Sequence, residues 1–150
     1  MSRLDEVGEQ DGWRCWLCDE VVDRQMSVND ARGPSIDAVT TKAKAKGPAP
    51  AVGTERLAHR ACNTRKGAHA AVVPWPDELF VVDPAPILGT VERLARKRGR
   101  DVMARCPTEA DARAAGDWLV DRIGRLVPGL DVTATAEPGG GQFLLVLTRR

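Results

Sequence analysis

Arg56-Leu57-Ala58-His59-Arg60-Ala61-Cys62-Asn63-Thr64-Arg65-Lys66-Gly67 is the stretch on which the fold turns, and it is read together with Cys15-Trp16-Leu17-Cys18. Each stretch carries two metal-ligating side chains three positions apart, so that one turn of chain can present both to the same ion. Thiolate and imidazole are the donors of a structural Zn²⁺, and Cys15, Cys18, His59 and Cys62 complete a closed tetrahedral set. The alternatives for a lone C-x-x-C are a redox motif or two core thiols. The redox motif expects a βαβ pattern, and none surrounds Cys15. Cys106 lies far away in an apolar strand pattern and reads as a plain buried thiol.

Working outward, Ser35-Ile36-Asp37-Ala38-Val39-Thr40-Thr41 follows the turn signal Gly33-Pro34 and is rich in β-branched residues, which predicts a short strand. Lys42–Pro50 is a basic loop bearing prolines. Thr54 then offers a hydroxyl N-cap, Glu55 suits a helix N-terminus and Gly67 suits its end, which predicts a helix over 54–67 with His59, Cys62 and Asn63 on one face. The polar residues 1–12 are expected to be a flexible N-terminus.

These residues resemble the HNH endonucleases of the ββα-metal fold, in the small zinc-bearing form of actinobacteria and their phages. The family pattern is Trp-x-Cys-x-x-Cys, a Ser-x-Asp-His strand, an Asn before the helix, and a helix reading Ala-His-x-x-Cys-Asn-x-Arg-Lys-Gly. The chain matches it at Trp13–Cys18, at Ser35-Ile36-Asp37, and at Ala58–Gly67. The resemblance covers 13–67 and implies a ββα-metal fold with Cys15, Cys18, His59 and Cys62 as structural zinc ligands. It further implies that Asp37 and Asn63 hold a catalytic Mg²⁺ or Mn²⁺ in a hydrolase that cuts DNA. The general-base His of the pattern is Ala38, and the Asn before the helix is Thr54. A methyl group accepts no proton, and a general base contributes about 10²–10⁴-fold, so the resemblance implies a weakened or inactive nuclease. His69 is the other histidine in the chain and the one candidate for a substitute base in a still-active enzyme.

Charge adds a nucleic-acid signal. The net charge of +1 hides an asymmetry, because residues 38–70 carry seven basic side chains and one acid. Lys42, Lys44, Lys46, Arg60, Arg65 and Lys66 are the candidate phosphate contacts in that block. With 43% hydrophobic and 29% charged residues over 150 positions, the composition excludes a large multidomain enzyme and a disordered chain. No stretch approaches a membrane span and the polar start lacks a signal-peptide pattern, so no membrane partner and a cytoplasmic location are expected.

Prolines 74, 76, 84 and 86 mark 71–86 as a junction after an HNH-like zinc module over 13–70. Beyond it, residues 87–150 read as α-β-α-β-β. The apolar periodicity begins at Ile87, Thr108-Glu109-Ala110-Asp111 has the form of a capping box, and Gly139–Gly141 lies in a hairpin turn. The overall expectation is α+β, a zinc-bound ββα-metal module followed by a small α+β module. No catalytic constellation lies in 87–150, which is left as a surface for a protein partner, for self-association or for DNA. Two functions follow: a nucleic-acid-binding relative of the HNH nucleases, or a non-catalytic protein-interaction module on a zinc scaffold.

Overall fold

The computed structural model describes residues 1–39 and 49–150, so Lys42, Lys44 and Lys46 lie outside the described residues. Among the described residues the chain is mixed α/β, with four helices and two small antiparallel sheets. It divides into two compact units, Met1–Val73 and Pro74–Arg150, and the division falls inside the proline-bearing stretch.

The first unit opens with α1 (Arg3–Gln10), where a flexible start was expected. Its signal is Ser2-Arg3-Leu4-Asp5. The Ser2 hydroxyl accepts from the Asp5 amide at 3.1 Å and Asp5 reaches back to the Ser2 amide, a capping box in which Asp replaces Glu. Asp11 then ends the helix and does a second job. Its carboxylate accepts Arg56 Nε at 2.9 Å and the Leu57 amide at 2.7 Å, which ties α1 to the next strand pair.

That pair is β1 (Pro34–Ala38) and β2 (Glu55–His59), antiparallel, with Asp37 opposite Arg56 and Ala38 opposite Glu55. A helix starting at Thr54 was expected; instead Glu55–His59 is strand, and the helix α2 runs only over Arg60–Lys66 with His59 as its N-cap. Thr54 caps nothing, and its carbonyl accepts from the Val39 amide at 3.0 Å. Pairing with β1 supplies the backbone partners of 55–59, and this tertiary gain overrides the weak local helix preference of that short segment. Gly33, just before β1, leaves no room for a side chain, since a Cβ there would sit 2.0 Å from the Ser27 carbonyl oxygen.

The second unit follows the expected element order: α3 (Ile87–Arg96), β3 (Arg100–Cys106), α4 (Glu109–Leu126), β4 (Val132–Gly139) and β5 (Gln142–Arg149). The Thr108 hydroxyl caps α4 by accepting from the Asp111 amide at 3.1 Å. Gly140 and Gly141 both take positive φ in the two-residue turn between β4 and β5, which twists with the strands as hairpin turns require. The sheet order is β3-β5-β4, with the most buried strand in the centre. α4 lays Ala112, Ala115, Leu119, Ile123 and Leu126 into the core, against a sheet face that includes Leu145. Cys106 is buried in β3. Leu119 is fully buried, so Leu119→Ala should lower the stability of this unit by about 2–5 kcal/mol, read as a shift in its urea midpoint at unchanged slope.

Candidate metal centre

Residues 13–22 form a tight reversal that offers the first two ligands. Arg14 bridges Val21, the Cys15 amide donates to the Glu20 carbonyl at 2.8 Å, and the Asp19 amide donates to the Cys15 carbonyl at 2.8 Å. Asp19 itself sits at φ 68°, a conformation that Asp tolerates better than most residues. The Trp16 amide donates to the Leu57 carbonyl at 2.9 Å, pinning this knuckle to β2. His59, at the end of β2, and Cys62, in the first turn of α2, complete the set.

The donor atoms of Cys15, Cys18, His59 and Cys62 all lie within 4.8 Å of one another. Sulfur at about 2.3 Å and nitrogen at about 2.0–2.1 Å around one tetrahedral ion stand about 3.5–3.8 Å apart. Cys18 Sγ and Cys62 Sγ lie 3.4 Å and 3.9 Å from His59 Nδ1, on either side of that range. His59 Nε2 lies 3.0 Å from the Val21 carbonyl oxygen, which can only accept. That nitrogen therefore carries the proton, and the lone pair of Nδ1 faces the thiols, as a second-sphere hydrogen bond does for a metal-bound imidazole. The His59 amide also donates to Cys15 Sγ at 3.4 Å. Burial, followed by the neighbouring charges of Cys15 and Cys18, pushes the Cys62 thiol up to about 12. Three thiols this close repel one another as anions, and a divalent cation is what resolves the conflict. The cluster could hold a metal ion, and its S₃N donor set matches zinc.

The second pair of residues singled out from the sequence behaves differently. Asp37 lies in β1 with its side chain 3% exposed, and both of its oxygens are occupied. Oδ2 accepts the Trp16 indole N–H at 3.0 Å, and Oδ1 accepts from the Lys66 ammonium at 3.1 Å. Asn63, on α2, donates from Nδ2 to Ser35 Oγ at 2.9 Å and to the Ile36 carbonyl at 3.2 Å, bracing the helix on the hairpin. Ala38, next to Asp37, is exposed. His69 is exposed in the turn after α2, its amide donating to the Lys66 carbonyl, and it joins no ligand cluster among the described residues.

The basic residues divide as well. Lys66 was expected on a phosphate-binding surface, but its side chain is 5% exposed and held in the ion pair with Asp37. Arg60 is exposed yet leans on the loop before β1, donating to the Val28 carbonyl at 2.9 Å. Arg65 is exposed on the last turn of α2. The buried ion pair was not visible in the sequence, because its members stand 29 positions apart and each has an ordinary surface reading alone.

Among the described residues, no helix is long and apolar enough to cross a membrane. Comparison with protein-family models, with curated proteins and with solved structures gives no match to this chain.

Proposed function

We propose that this chain is a zinc-bearing, HNH-like nucleic-acid-binding protein whose nuclease centre is silent. Zinc is held by Cys15, Cys18, His59 and Cys62 and serves the fold of the first unit. Support for the HNH-like reading comes from the order of parts: a cysteine knuckle, an antiparallel hairpin, and a short helix that brings Cys62 to the cluster and Asn63 to the hairpin.

The observation that carries the loss of activity is the sealing of Asp37 between Trp16 and Lys66. A carboxylate that already neutralises a buried ammonium has no charge to offer a hard divalent cation, which takes anionic and neutral oxygens in an open, hydrated site. The Lys66 ammonium supplies the positive charge that a catalytic ion would otherwise bring to this carboxylate. Loss of the base at Ala38 compounds this, since no side chain at that position can take a proton from water.

Plasmid DNA incubated with the zinc-loaded protein and Mg²⁺ or Mn²⁺ is expected to stay uncut, while duplex DNA is bound with a steep salt dependence. Ala38→His alone should leave cleavage at background, because Asp37 remains committed to Lys66. Robust metal-dependent nicking by the natural sequence, abolished by Asp37→Ala, would overturn the silent-centre reading.

A further inference from the structure

The register of the β3-β5-β4 sheet separates its two faces. A Cβ on Gly116 of α4 would meet Ala134 at 3.0 Å and Leu145 at 3.2 Å, so α4 covers the face bearing those residues. Asp101 and Arg149 project to the same side, since they pair with Leu147 and Val132. Both reach α3: Arg93 pairs with Asp101 at 3.3 Å, and Arg149 donates to the Leu94 carbonyl at 2.7 Å. The two helices of this unit thus share one face of the sheet and leave the other without a helix.

On that other face β3 places Arg100, Val102 and Arg105, in register with Thr148, Val146 and Leu144 of β5. The Arg149 amide donates to the Gly99 carbonyl at 3.0 Å, which continues the ladder and sets Arg98 across from Arg150 on this same face. Arg98, Arg105 and Arg150 are exposed and make no ion pair among the described residues. Two acids belong to the face, both on β4 or at its start. Glu137 holds Arg100 at 2.6 Å, and Asp131 accepts the Arg150 amide through its carbonyl. The Arg100–Glu137 pair crosses the sheet diagonally over Val146, which accounts for that valine being 1% exposed.

We propose that this helix-free face docks duplex DNA, with the arginines of β3 and Arg150 on the phosphates and Thr133 and Thr135 of β4 toward the groove floor. The proposal rests on the nucleic-acid-binding reading above and moves the main contact from the first unit to the second. Charge complementarity selects a polyanion, and the planar guanidinium fork suits phosphate better than a lysine ammonium does. Single strands require aromatic side chains on which bases stack, and β3, β4 and β5 place none on this face; the nearest exposed one is Phe80, two residues before the Val82 that bridges Arg105. An anionic membrane would favour large aromatic anchors among the cations, whereas the exposed large apolar residues on the face are two valines, Val102 and Val82, the latter bridging Arg105 at the sheet edge. Three strands span about 10 Å between the outer two, close to the roughly 12 Å width of the major groove.

The test is fluorescence anisotropy of a short labelled duplex with the full-length, zinc-loaded protein across a salt series. Arg98→Ala combined with Arg105→Ala should weaken binding at least tenfold and reduce the slope of log affinity against log salt by about two, close to one unit per lost phosphate contact. Glu137→Gln should tighten binding severalfold by removing an acid and releasing Arg100. All three positions are solvent-facing, and circular dichroism checks that the fold is retained. If the duplex is bound but only Arg60→Ala and Arg65→Ala weaken it, the sheet proposal is overturned and the nucleic-acid reading stands. If the natural sequence binds no duplex, both fall. Capture by phosphatidylserine vesicles without duplex binding overturns both in favour of a membrane surface.

Discussion

Stripping the metal with a chelator is expected to unfold residues 1–73 and leave 74–150 folded. The first unit has a thin core, in which Val7, Trp16, Leu17, Val22, Val52, Leu57 and Val73 are the larger buried apolar side chains. Its four ligands come from a knuckle, a strand end and a helix of seven residues, an element too short to be stable by itself. In such small domains metal binding free energy is folding free energy, with apparent values of about 10–16 kcal/mol in zinc-finger peptides at neutral pH. The second unit has its own sheet and an 18-residue helix, and it contains no group of the kind that could hold a metal. Hydrogen exchange followed by mass spectrometry, with and without chelator, reads the two units separately. Protection should vanish over the first and persist over the second. Cys62→Ser should give the same pattern without chelator. Retained protection over 13–67 in protein shown by elemental analysis to be metal-free would overturn the structural role of the site.

The same chemistry fixes a pH dependence. Zinc takes thiolates, and the Cys62 thiol is pushed up to about 12 in the absence of an ion, by burial first and then by the charges of Cys15 and Cys18. Binding therefore releases protons, and acid competes with zinc. With three thiols in the set, affinity should fall by up to about a thousandfold for each pH unit lowered below the thiol range, so the first unit is lost on acidification before the second.

How much of this was legible beforehand depends on the range over which each signal acts. The ligand pairs are local, three positions apart, and the structure brings all four donors together. The second unit was legible because its periodicities are long and its caps are local: Thr108 with Asp111, and Gly140-Gly141 between two strands. The strand at Glu55–His59 was not, because its partner β1 lies some twenty residues earlier, and the buried Arg56 has its ion-pair partner Asp11 at the end of α1. The polar composition of α1 hides it in the sequence, although Ser2 and Asp5 form a cap signal. Neither the sealing of Asp37 nor the burial of Lys66 could be read from spacing, since burial of a charge is decided by its distant partner.

That sealed pair yields the remaining large effect. Lys66→Met keeps most of the side-chain volume but leaves Asp37 buried with one oxygen facing no cation. Breaking a buried pair from one side costs about 3–5 kcal/mol, whereas replacing both partners can be close to neutral. The single variant should therefore lose most of the stability of the first unit. Asp37→Asn combined with Lys66→Met should recover much of the loss, because the asparagine oxygen can still accept the Trp16 indole N–H that now meets Asp37 at 3.0 Å. The measurement is urea unfolding of the first unit at fixed free zinc, so that metal linkage is the same for every variant. A coupling energy of several kcal/mol in the double-mutant cycle is expected for a structural ion pair. The opposite pattern is equally definite. If Lys66→Met is nearly neutral in stability and the variant gains a Mn²⁺ site that Asp37→Asn removes, then the lysine merely blocks a metal site that the fold still holds. The silent centre would then be a single substitution away from binding its cation.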